Sequence, residues 1–88
     1  MAFRAGWTGP ARRDMARLPP RVATAVLVYV EERLLENPWR RTKALGGDLE
    51  GTRGARNGDY RILVQIDDDA EVVWVLHVDH RAHAYRPS

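Results

Sequence analysis

Two apolar runs with strand periodicity, Tyr60 to Ile66 and Glu71 to Asp79, flank the acidic triplet Asp67-Asp68-Asp69. Side chains alternate along a strand, so two such runs across a tight turn specify an antiparallel pair with one buried face. Asn57-Gly58 stands just ahead of the first run and is the strongest short hairpin signal. A two-residue turn there pairs Arg56 with Asp59, Ala55 with Tyr60 and Gly54 with Arg61. Pairing Ile66 with Val72 then collects Tyr60, Ile62, Val64, Ile66, Val72, Trp74, Leu76 and Val78 on one face. A one-residue slip would bring His77 among them, so the first register is expected. The other face carries Arg56, Arg61, Leu63, Gln65, Val73, Val75, His77 and Asp79, with Arg81 joining if the strand continues.

The first half has helical spacing instead. Residues 2–7, with Phe3 and Trp7 as inward anchors, read as a brief strand. Thr8-Gly9-Pro10 is a helix start, a cap residue followed by proline. Ala11, Met15 and Leu18 form one apolar stripe, and Pro19-Pro20 closes that helix and opens the next. Val22, Val26, Val30 and Leu34, with Ala23 and Leu27, give the second helix a wide apolar face, which Asn37-Pro38 ends. Residues 39–51 read as a connection broken by Gly46-Gly47 and Gly51. The expected fold is α+β: a short N-terminal strand, then an antiparallel helix hairpin packed on one face of a small antiparallel sheet.

Eighty-eight residues hold one such core, so residues 1–88 are read as a single domain. Without cysteine there is no disulfide framework, thiolate metal site or cysteine nucleophile. The N-terminus lacks a signal-peptide pattern. The longest mostly apolar run, Val22 to Val30, is about half of what spans a bilayer. A soluble cytoplasmic protein is therefore expected. Its cations are thirteen arginines and one lysine, Lys43.

Arg56, Arg61 and Arg81 come from separate chain segments to one sheet face. Such a fixed positive field suits a phosphate, and above all the added charge of a phosphoryl-transfer transition state. Arg56 paired with Asp59, and Arg61 or Arg81 with Asp79, is the plainer alternative, and the arginines alone leave both open. The tail His80-Arg81-Ala82-His83-Ala84-Tyr85-Arg86 adds imidazoles for proton exchange and a phenol that can stack on a base. A metal site at His77, His80 and His83 is disfavoured, because a three-residue spacing along an extended chain puts neighbours on opposite faces. Trp74 is expected in the core, and Trp7 and Trp39 in core or rim packing. Lys43, Arg53 and His83 are further candidate substrate-binding residues.

Several short motifs run through the chain in order. They are Ala11-Arg12-Arg13-Asp14, Leu18-Pro19, Leu34 with Asn37-Pro38, Leu45 with Leu49-Glu50-Gly51, Arg56 with Gly58-Asp59-Tyr60-Arg61, Asp79-His80-Arg81, and Tyr85-Arg86. Together they resemble the RelE/ParE superfamily of bacterial toxins, on the RelE side. The resemblance implies a cytoplasmic toxin of a type II toxin–antitoxin system, held inactive by a RelB-like antitoxin. It implies messenger RNA cleavage in the ribosomal A site by attack of the 2′-hydroxyl on the adjacent phosphate, with no metal or other cofactor. Arg56, Arg61, Arg81 and Tyr85 stand at the family's active-site positions, with His80 as a reserve acid–base group. The chain departs from the RelE pattern where lysines are expected, at Thr52 and Gly54. Arg53, between them, points to the opposite face by hairpin parity. His80 or His83 is available to substitute. Two alternatives accompany this reading: a non-enzymatic gyrase inhibitor of the ParE kind, and a decayed toxin that only binds antitoxin.

Overall fold

Thr8 shows how the local rules combine. In the computed structural model, which describes residues 2–80, Thr8 caps the first helix by accepting from the Ala11 N–H at 3.3 Å. Pro10 follows in the first turn, where its missing N–H costs nothing. The same hydroxyl donates to Val75 O at 2.9 Å, with Leu76 O also in reach at 3.2 Å. One side chain thus starts a helix and ties it to a strand distant in sequence.

The chain begins with strand β1 (Arg4–Trp7), helix α1 (Gly9–Arg17) and helix α2 (Pro20–Tyr29). These helices form the expected pair, joined at Leu18-Pro19. Helix α2 runs on into a wider turn, Val30–Leu34, in which Leu35 N–H donates to Val30 O, five residues back. That turn carries Val30, Leu34 and Leu35 into the core together. Val22, Val26 and Val30 lie inward as expected, whereas Leu27 is exposed at the rim.

Residues 39–51 hold more structure than a connection. Asn37 is an N-cap as well as a stop: its side chain accepts from Arg40 N–H, and Pro38 opens the one-turn helix α3 (Pro38–Arg41). Strand β2 (Lys43–Ala44) follows. Strands β3 (Arg53–Asn57), β4 (Tyr60–Asp67) and β5 (Val72–His80) complete a five-stranded sheet of order β1-β5-β4-β3-β2. Its pairs are antiparallel except at one edge, where β1 lies parallel to β5. The sheet is therefore mixed rather than wholly antiparallel.

Two registers differ from expectation. The β3–β4 turn is Gly58-Asp59, with Asn57 opposite Tyr60 and Arg56 opposite Arg61. Gly58 takes a positive φ of 60°, while Asp59 does not, which is the hairpin form with glycine at the first central position. The pairing moves by two residues, so the expected faces survive.

On β4–β5, Ile66 lies opposite Val73 and Ile62 opposite Val78, with an irregularity at Leu63/Val64 that leaves Leu76 as an extra residue on β5. This bulge inverts the parity of β5 before it. Val73 and Val75 are buried with Val78, and Trp74 turns outward, 41% exposed, against the expected core placement. A regular strand cannot send Val73, Val75 and Val78 to one face, and a strand with one extra residue can. Trp74 lies opposite Gly6 on β1, where a Cβ would come within 2.5 Å of its ring.

Past Trp7, helix α1 covers the edge of β5. Asp14 Oδ2 accepts from the Val78 N–H at 3.0 Å and meets His77 Nδ1 at 3.0 Å. Edge groups that could template aggregation are thereby occupied. Removing the Thr8 hydroxyl deletes a helix cap and an edge contact together. Thr8→Ala is expected to cost about 1–2 kcal/mol in urea denaturation, with Thr8→Ser retaining most of the stability.

Candidate functional site

The β3–β4 hairpin sets Arg56 directly across from Arg61. Like charges so opposed destabilise a sheet, a cost that a bound anion offsets. Strand β2 adds Lys43 on the same face, opposite Gly54. Arg41 arrives from the last turn of α3. Between these last two cations Thr42 turns inward, 5% exposed, and its hydroxyl donates to Pro38 O at 2.8 Å. Thr42 is extended, so its neighbours Arg41 and Lys43 project away from it.

The result is an open groove of about 300 Å³ lined by Arg41, Lys43, Leu45, Gly54, Arg56 and Arg61, with Ala55 also contributing. Among the described residues that line it, four are cationic and none is acidic. Arg61 is half-buried, with its Nε shielded from solvent, while Arg56, Arg41 and Lys43 are exposed. Asp79 lies opposite Arg61 on β5. A concave floor of glycine backbone with cations at its rim fits an anionic chain lying across it.

Of the candidate residues, Arg56, Arg61 and Lys43 meet in this groove. Arg53 does not. It faces the other side of the sheet, as hairpin parity requires, and is committed to the fold. Its Nε donates to Thr42 Oγ1 at 2.7 Å, one of its terminal nitrogens donates to Thr42 O at 2.9 Å, and its guanidinium stacks 4.7 Å from the Trp39 ring centroid. Trp39 in turn donates from Nε1 to Asp68 Oδ1 at 2.7 Å. His80 lies opposite Tyr60, edge-on to its ring at 5.3 Å, on the face away from Arg61. Arg81, His83 and Tyr85 lie outside the described residues. Sequence reasoning missed Arg41 and Leu45. The signal was the Arg41-Thr42-Lys43 alternation, which becomes legible once β2 is known to pair with β3.

A family model for the ParE toxin of type II toxin–antitoxin systems matches residues 6–85. The chain is 44% identical to Toxin RelG of Mycobacterium tuberculosis, over 98% of this chain and 99% of that one. It belongs to the RelE/ParE toxin family as a RelE-like toxin. Toxin RelE of the same organism is 44% identical over 90% of this chain and 81% of its own length. The toxin also superposes on a chain of the M. tuberculosis RelBE2 toxin–antitoxin complex with a TM-score of 0.87 and 42% identity, over 92% of this chain and all of that one.

The geometry separates two arginines of one strand. Arg53→Ala in this RelE-like toxin is expected to lower stability by about 1–3 kcal/mol, because Thr42 loses a charge-assisted partner. Arg56→Ala, exposed in the groove, is expected to change stability by less than about 0.5 kcal/mol. Urea titrations of the two variants side by side check this.

Proposed function

We propose that this toxin is an endoribonuclease that cuts messenger RNA in the ribosomal A site and is silenced by a RelB-like antitoxin. The cationic groove with Arg56 and Arg61 side by side is the observation that carries the reading. In the proposed reaction the ribose 2′-oxygen forms a bond to the adjacent phosphorus while the P–O5′ bond breaks. The products are a 2′,3′-cyclic phosphate and a 5′-hydroxyl, and the proton lost from the 2′-hydroxyl is balanced by one gained at O5′. The transition state concentrates negative charge on the phosphoryl oxygens, and two preoriented guanidiniums facing it stabilise that charge more than the ground state.

Arg61 is the stronger contributor in this scheme. It is the second residue of β4, close to the hairpin turn rather than in mid-strand, and is held between ladder partners Arg56 and Asp79. Arg81 and Tyr85 enter through the family resemblance, Arg81 hydrogen-bonding the leaving oxygen and Tyr85 stacking on the attacked nucleotide. The named relatives, and a solved structure that pairs RelB with RelE, support a RelB-like partner. Action on ribosomes places the protein in the cytoplasm. Among the described residues no helix is long and apolar enough to cross a membrane.

The ParE description of the family model favours a second reading, inhibition of DNA gyrase without cleavage. Purified toxin added to programmed ribosomes, with mapping of new RNA 5′ ends, and to gyrase supercoiling reactions separates the two. Cleavage with normal supercoiling is expected. Arg61→Ala and Arg81→Ala should each slow cleavage about 10²–10³-fold, with circular dichroism unchanged. Lost supercoiling with intact RNA would establish the gyrase reading. Antitoxin binding with neither activity would identify a decayed toxin.

A further inference from the structure

Lys43 is the sole lysine beside thirteen arginines, and the fold seats it in the cationic groove. Across the sheet, Lys43 lies opposite Gly54, and Gly54 lies opposite Leu63. The middle of that row has no side chain, so the groove floor is backbone there. Arg56 is the diagonal neighbour of Lys43 on β3. Such neighbours are about 7–8 Å apart, within reach of long side chains. The ammonium can therefore lean across Gly54 toward the point that Arg56 and Arg61 face.

Chemistry distinguishes this cation from its neighbours. A guanidinium keeps its protons throughout, whereas an ammonium on a flexible stem can give one up and recover it. Among the described residues, the imidazoles and phenol near the sheet are placed elsewhere. His80 and Tyr60 meet on the opposite face, and His77 Nδ1 is engaged by Asp14. None of the three lines the groove. We propose that Lys43 is a catalytic residue, the proton donor to the departing 5′-oxygen.

This proposal rests on the endoribonuclease reading. As the 2′-oxygen bonds to phosphorus and the P–O5′ bond breaks, the Lys43 ammonium passes a proton to O5′. The 2′-hydroxyl proton leaves to water, and the neutral amine takes one back from water, so no net proton is consumed. Arg56 and Arg61 face the reacting phosphate while this occurs, and Arg41 holds a flanking one.

The test compares single-turnover cleavage on programmed ribosomes of ordinary RNA and of RNA in which sulfur replaces the scissile 5′-oxygen. A thiolate leaves without needing a proton, so the sulfur substrate bypasses a proton donor. Lys43→Ala and Lys43→Arg are expected to cut ordinary RNA about 10²–10⁴-fold more slowly than wild type. Both should cut the sulfur RNA within several-fold of it, while Arg61→Ala should be slow on both substrates. Lys43 is exposed on a two-residue edge strand, so both variants should fold, as circular dichroism will verify. Wild-type cleavage of ordinary RNA by Lys43→Arg would overturn the proposal, since charge alone would then suffice. Equal losses on the two substrates would overturn it in favour of a positioning role. If the wild-type toxin cuts neither RNA, the endoribonuclease reading itself fails and this proposal falls with it.

Discussion

The extra residue at Leu76 in β5 sets the terms on which the sheet can bury one face. Without it, Val73 and Val75 would face opposite to Val78, and no register could bury all three. With it, the three valines close over Ile62 and Val64. A bulge also leaves backbone groups that the ladder no longer satisfies. Here Thr8 and Asp14, both on or beside α1, reach that stretch of β5: the Thr8 hydroxyl donates to the Val75 carbonyl with the Leu76 carbonyl also in reach, and Asp14 accepts from the Val78 N–H. The helix is thus anchored by the irregularity it repairs. The same shift leaves Arg61 opposite Asp79 and turns Trp74 out over Gly6.

A second corner positions the charge. Thr42 sits between α3 and β2 with its hydroxyl given to Pro38 O and approached by Arg53. Burying that small polar side chain forces Arg41 and Lys43 outward together. The arginines of the hairpin therefore have different roles. Arg53 is held inside the fold by Thr42 and Trp39, whereas Arg56 and Arg61 stand side by side at the groove. Their opposition across the ladder is unfavourable by itself. Asp79 flanks Arg61 on the other side, and under the proposed function an anion lying between the two arginines would relieve their repulsion further.

Much of this is legible in the sequence wherever a side-chain period is long enough to be unambiguous. The helix pair, its proline punctuation and the assignment of Arg56 and Arg61 to one face all follow from residue spacing. The face held even though the hairpin turn did not, because the pairing moved by an even number of residues. Short elements are less readable. Helix α3 has four residues and β2 two, too few to show a period. Arg41, the cation that ends α3, had no visible place in a site.

By itself the chain determined that a strand-rich half with one apolar face would meet an amphipathic helical half, and that Arg56 and Arg61 would share the other face of the sheet. Local propensity and alternation suffice for that, since both act through neighbours within a few residues. Only the tertiary structure decided how β5 breaks its alternation, which placed Trp74 outside and Val73 and Val75 inside. It alone decided that Lys43 would stand across from Gly54. Both outcomes turn on contacts between residues far apart in sequence, Thr8 with Val75 and β2 with β3, and such contacts exist only once the core has closed.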